Sequence, residues 1–129
     1  MENILIKGKH GVNFIPTVDF NAGSGICELA GESYLEDTIE FYSPIFNWLK
    51  QYTVEIDKPI TFNFRLRYFN TSSSKCILDV FKKLETIYKD ENDVVINWYY
   101  EEDDEDMLEA GEDYQSILKI PFKMIEMEE

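Results

Sequence analysis

Ten residues constrain this chain more than any others. From Ile60 to Phe69, apolar and polar side chains alternate. Ile60, Phe62, Phe64, Leu66 and Tyr68 fall on one side, and Thr61, Asn63, Arg65 and Arg67 on the other. Successive side chains of an extended backbone point to opposite faces, so this pattern predicts a strand covered on one face and open on the other. Something must cover the apolar face, and the residues that follow supply it. Ser72 to Lys89 places Ile77, Val80, Phe81, Leu84 and Tyr88 at helical spacing, with Asp79, Lys82, Lys83 and Glu85 off the stripe.

The pattern then repeats. Val94 to Tyr100 alternates, with Val94, Ile96, Trp98 and Tyr100 on one face. Asp104 to Leu118 predicts a helix with Met107, Leu108, Tyr114 and Leu118 inward, and Ile120 to Met127 a closing strand. Right-handed crossovers make such strands parallel neighbours and gather the helices on one face.

The first third reads as short strands. Val12 to Phe20 is extended, Asn21-Ala22-Gly23-Ser24-Gly25 is a turn, and Ile26 to Ala30 is a second strand closed by Gly31, which makes a hairpin. Between Thr38 and Tyr52, the residues Ile39, Tyr42, Ile45, Phe46, Leu49 and Tyr52 follow helical spacing. Pro44 interrupts it: either Ser43-Pro44 starts the helix as cap and first position, or Pro44 kinks a longer one. With 129 residues, 44% hydrophobic and 15% aromatic, the chain suits one domain over 1–129. The expected fold is α/β, a mixed sheet with helices packed mainly on one face.

Charge narrows the function. The chain carries 26 acidic and 12 basic residues, a net charge of −14. Nucleic acid and anionic membranes are poor partners for such a surface, whereas proteins with basic patches suit it. Cys27 and Cys76 sit in apolar contexts outside any Cys-x-x-Cys pair, which predicts two buried free thiols and a reducing compartment. Met1 to Val12 lacks a signal-peptide pattern, and no run approaches about 18 apolar residues. A cytoplasmic location is expected, without membrane spans.

Two segments can carry chemistry. Asn70-Thr71-Ser72-Ser73-Ser74-Lys75 lies where the best strand gives way to the best helix. Its polar side chains meet unpaired backbone N–H groups and the positive end of a helix dipole. One such residue suffices for a cap, and here five come in a row. The alternative use is phosphate acceptance, since a helix start favours an anion of about −1.5 to −2 charge. The second segment, Glu101 to Asp106, holds six consecutive acidic residues at another helix start. It reads as dipole complementation and a solvated loop, as a docking surface for a basic partner, or as a divalent-metal site. The Ca²⁺-loop pattern fails, because the acidic residues are contiguous and its glycine is missing. In a parallel sheet the loops after successive strands share an edge, so this tract is expected near Thr71.

Other candidates are weaker. His10 is the single histidine and reads as a surface residue. Arg65 and Arg67 share the open face of a strand, where pairing within the protein is the expected use. No nucleophile-elbow, phosphate-loop or dinucleotide glycine pattern occurs.

Tyr68-Phe69-Asn70-Thr71-Ser72-Ser73-Ser74-Lys75, followed by Leu78 and Leu84-Glu85, resembles the signature of the SiaC family of bacterial regulatory phosphoproteins. Asn97 to Met107, with Ala110-Gly111-Glu112-Asp113-Tyr114 and Pro121-Phe122, resembles the family's second signature. Gly31-Glu32-Ser33-Tyr34, with Tyr42, Pro44 and Trp48, is similar to its N-terminal part. The resemblance implies a STAS-like fold, as in anti-sigma-factor antagonists. It implies a non-catalytic partner-switching protein acted on by a Ser/Thr kinase and a PP2C-like phosphatase. It further implies an effector such as a diguanylate cyclase, and hence control of cyclic di-GMP and biofilm formation. The phosphoacceptor carries over to Thr71, with Ser72 and Ser73 beside it and Ser74 as an extra serine. Asn70, Ser74, Lys75, Asp103 and Asp104 are the expected partner-binding residues. No cofactor and no metal are expected. The competing readings are a metal-dependent enzyme built on the 101–106 loop and a passive acidic scaffold.

Overall fold

The computed structural model describes residues 1–9, 14–87 and 94–127. His10, Tyr88, Lys89 and the start of the expected Val12–Phe20 strand lie outside them. The elements are β1 (Ile4–Ile6), β2 (Thr17–Phe20), β3 (Ile26–Ser33), α1 (Thr38–Glu55), β4 (Ile60–Phe69), α2 (Thr71–Ile87), β5 (Val94–Glu101), α3 (Glu105–Ile117) and β6 (Phe122–Met127). The six strands form one sheet in the order β1-β2-β3-β4-β5-β6. β1, β2 and β3 pair antiparallel, and β3, β4, β5 and β6 pair parallel.

This is the mixed α/β sheet that the alternating segments predicted. Phe62, Phe64, Leu66, Val94, Ile96 and Trp98 are buried on one face, whereas Thr61, Asn63, Arg65, Asn97 and Tyr99 on the other stay half-buried. The core is aromatic. Trp98 is fully buried and stacks on Phe64 with ring centroids 4.5 Å apart, and its indole N–H donates to the Met107 carbonyl at 3.0 Å. Gly111 lets α3 lie against that indole: a Cβ there would come within 2.5 Å of Trp98. On the open face Arg65 pairs with Glu28 at 2.7 Å and lies 3.8 Å over the Tyr99 ring, and Arg67 meets Glu32 at 3.4 Å. Both arginines are thus used within the protein.

Several expectations need correction. β1 was not anticipated. β2 covers only Thr17–Phe20, because Pro16 lacks the N–H a ladder needs; Phe14 and Ile15 make isolated bridges. β3 does not stop at Gly31. With φ of +100°, Gly31 carries the strand through a bulge to Ser33. That bulge pairs Glu32 with Tyr68 instead of Arg67, so Tyr68 turns outward (49% exposed) while Phe69 packs against the core. Of the two readings of Pro44, the longer helix holds: Asp37 caps α1, accepting from the Glu40 N–H at 3.0 Å, and the helix runs through Pro44. The residues at helical spacing divide: Tyr42, Ile45, Leu49 and Tyr52 are buried, together with Trp48, whereas Ile39 and Phe46 are 72% and 36% exposed. Leu108 and Cys76 are half-buried. Cys27 is buried, and burial pushes its thiol well above the usual range.

Candidate functional site

The site follows from how α2 begins. β4 ends at Phe69, and Asn70 turns the chain. The Asn70 side-chain carbonyl oxygen accepts from the Ser73 N–H at 2.9 Å and from the Ser72 hydroxyl at 3.3 Å, and its backbone carbonyl accepts from the Ser74 N–H. Asn70 is therefore the cap, and its own N–H is tied to the Ser33 carbonyl at 3.0 Å. One residue does the capping, which leaves the hydroxyls of Thr71 to Ser74 to be accounted for.

They divide sharply. Ser73 is fully buried, and its hydroxyl lies 2.8 Å from that of Ser33 and 3.2 Å from the Ser33 carbonyl. Ser33 in turn meets the phenol of buried Tyr42 at 2.8 Å. This chain of three hydroxyls joins the ends of β3 and α2 to α1. Burial pushes the Tyr42 phenol well above its usual range, so it stays neutral. Ser72 is exposed but bonded to Asn70. Ser74 is half-buried, and its carbonyl accepts from the Tyr114 phenol of α3 at 3.0 Å; burial raises that phenol too. Thr71 is exposed as the first residue of α2, and its hydroxyl bonds to none of the described residues. Lys75, one turn on, is exposed as well.

Reading the residues singly missed Ser33 and Tyr42 as members of this network. Ser73 carried a usable signal. It precedes Ile77 by four residues and Val80 by seven, so it lies on the buried stripe of α2. Thr71, two residues earlier, faces away from that stripe.

The second segment sits at the corresponding place one strand over. β4 and β5 are parallel, so Asn70 and the 101–106 tract lie on the same edge of the sheet, as expected. Its use is structural in part. Asp104 caps α3, accepting from the Met107 N–H at 3.0 Å, and its backbone N–H donates to the Glu101 carbonyl. Glu105 and Asp106 fill the first turn. Asp103 is exposed and Asp104 half-buried. Among the described residues, no group of three or more His, Cys, Asp or Glu side chains is arranged to hold a metal ion. Likewise, none of their helices is long and apolar enough to cross a membrane.

The two helix starts therefore differ electrostatically. The first turn of α3 is already negative. That of α2 holds no acidic residue, so the partial positive charge of its N–H groups is uncompensated. Chemically, the α2 start offers one hydroxyl, that of Thr71, that is both exposed and unbonded among the described residues, with the unbonded Ser74 hydroxyl half-buried, beside an anion-favouring helix end on a turn held rigid from below.

Comparison with known proteins identifies relatives along nearly the whole chain. An uncharacterized protein of Pseudomonas aeruginosa strain UCBPP-PA14 is 26% identical over 112 residues, which cover 87% of this chain and 89% of the relative. The crystal structure of apo-SiaC from P. aeruginosa superposes with a TM-score of 0.85 at 25% identity, covering 97% of this chain and 99% of that one. SiaC in complex with the diguanylate cyclase SiaD, of which it is the activator, shares the fold with a TM-score of 0.87. It is 24% identical, covering 96% of this chain and 99% of that one. The family model described as SiaC family regulatory phosphoprotein matches residues 8–127. From the hairpin through the hydroxyl run to β6, this chain belongs to the SiaC family of regulatory phosphoproteins.

Proposed function

We propose that the chain is a non-catalytic switch whose state is written on Thr71. A Ser/Thr kinase adds the phosphate, a PP2C-like phosphatase removes it, and the unmodified form binds and activates an effector, a diguanylate cyclase. The observation that carries this reading is the sorting of the hydroxyl run. Ser73 is locked in the core, Ser72 is engaged by Asn70, and Thr71 alone is both exposed and unbonded at the head of a helix with no acidic residue in its first turn. A phosphate there sits at the positive end of α2, where Asn70 already engages the Ser73 and Ser74 N–H groups, and puts about −1.5 to −2 charge on an exposed edge. The neighbouring acidic tract would add repulsion against any partner that tolerates only the neutral threonine. Family membership and the relative's complex with SiaD support the choice of effector.

The test is a set of pull-downs from native cells with wild type, Thr71→Ala and Thr71→Glu as bait, read by mass spectrometry. Wild type and Thr71→Ala should recover a diguanylate cyclase, and wild-type protein phosphorylated at Thr71 should lose it. Thr71→Glu, with less charge than a phosphate, should lose it partly. Labelling of Thr71→Ala by the native kinase at the wild-type rate would assign the acceptor elsewhere.

A further inference from the structure

A groove runs between α1 and α2 that the reading above does not use. Its volume is about 470 Å³, and its walls include Ile39, Phe46, Cys76, Val80 and Lys83. On α1 the lining residues Ile39, Tyr42, Ser43 and Phe46 recur at helical spacing; on α2 they run from Cys76 to Thr86. Ten residues of helix rise about 15 Å, so the groove has the length of roughly three helical turns. It exposes apolar surface that the fold leaves uncovered. Ile39 is 72% exposed and Phe46 36%, although both continue the apolar pattern of α1.

The rim has the wrong sign for this molecule. The whole chain has 26 acidic and 12 basic residues, but the groove is lined by Lys82 and Lys83 against one carboxylate, Asp79. Lys82 reaches Glu85 only at 3.7 Å. Lys83 makes no ion pair among the described residues; its ammonium sits 6.0 Å over the Phe46 ring. An apolar trough with a cationic lip fits one kind of occupant, an amphipathic helix with an apolar stripe flanked by Asp or Glu.

We infer that the α1–α2 groove is a docking site for an acid-flanked amphipathic helix of a partner protein, whichever hydroxyl of the 71–74 run carries phosphate. A second copy of this chain is a poor occupant. Two chains of net −14 repel each other. Among the described residues, the one helix with a strongly acidic surface, α3, spends Met107 and Tyr114 on its own core.

A benzophenone amino acid placed at the exposed Ile39 position of the full chain, expressed in native cells and photolysed, tests this. A control chain carries the same group at exposed Leu5. The Ile39 probe should crosslink to a segment of another protein whose apolar residues recur at i, i+3, i+4 and i+7 with acidic residues beside them. The Lys82→Glu, Lys83→Glu double variant should cut the yield roughly tenfold or more. Lys83→Arg should preserve it, and both variants should melt like wild type. Crosslinking to another copy of the chain overturns the inference. So does a segment without acidic flanks, a yield no higher than at Leu5, or a yield that ignores the charge reversal.

Discussion

The helices that follow β4 and β5 start alike. Each leaves a parallel strand at its carboxyl end, and each is capped by one short polar side chain, Asn70 or Asp104. Beyond the cap they diverge. At α3 the remaining acidic residues complement the helix dipole and face solvent, so capping and electrostatics account for them. At α2 the surplus splits, with Ser73 drawn into the core and Thr71 left open. A run of polar residues at a helix start is therefore informative only after the cap has been subtracted. What is left over at α3 is solvation, and what is left over at α2 is an anchored turn with an accessible hydroxyl.

The two starts are also held in place by different forces, and this yields the largest expected effects. α3 is fixed by close packing. Gly111→Ala would put a methyl group 2.5 Å from Trp98 atoms and 2.6 Å from the Met124 methyl. Met124 can move aside, but Trp98 is fully buried, stacked on Phe64 and bonded to Met107. Helix propensity favours alanine by about 1 kcal/mol, yet overpacking of about 3 kcal/mol against a fixed indole should win, with a net loss of about 2 kcal/mol in urea denaturation. Wild-type stability in this variant would show that the indole has room to shift.

α2 is fixed by hydroxyls. Ser33 is the centre of that network, and Ser33→Ala leaves the Tyr42 phenol buried without its partner. The expected cost is about 2 kcal/mol, against less than about 0.5 kcal/mol for the exposed Ser72→Ala. Equal losses for the two would mean that the buried hydroxyls do not anchor the turn. The caps come next. Asn70→Ala and Asp104→Ala should each cost about 1 kcal/mol, and Asn70→Ala should lose slightly more because its side chain also accepts from Ser72. Thermal melts that rank the pair the other way would remove that difference between the two starts.

Much of this was legible because period and burial coincide. The alternation from Ile60 to Leu66 and the stripe Ile77, Val80, Phe81, Leu84 predicted β4 and α2 correctly, since each places apolar atoms on a face that a neighbour covers. Tyr68 failed because its direction is set by Gly31 on the adjacent strand, and no local period records a bulge in a partner. Ile39 and Phe46 fit the helical spacing of α1 and yet stay exposed, for a different reason. Helical spacing identifies an apolar arc but not which flank of it the sheet reaches, and α1 leaves one flank bare. The site was half legible. The hydroxyl run and its place at a helix start were visible, whereas Ser33 lies 40 residues from Ser73 and meets it only through the pairing of β3 with β4.

The smallest effect bears most directly on the comparison, because it asks whether the α2 start is electrostatically vacant while the α3 start is filled. Thr71→Asp places a carboxylate at the first position of α2, where the first turn has no acidic residue. Glu105→Gln removes one from the same position of α3. If the helix dipole governs both, the first should stabilise and the second destabilise the fold, each by about 0.3–1 kcal/mol at low ionic strength. Both changes should shrink in 1 M salt, where screening acts within about 3 Å. The opposing force is the chain's own charge: a further anion on a molecule of net −14, on the edge that carries the 101–106 tract, meets repulsion. Dipole attraction is confined to the first turn, where residue 71 sits, whereas the repulsion is spread over the surface and screened by water, so attraction should prevail. Urea denaturation of both variants at two salt concentrations decides it. If Thr71→Asp destabilises as much as Glu105→Gln does, the tract already dominates that edge. A phosphate on Thr71 would then be held by no helix and would act on partners by repulsion alone.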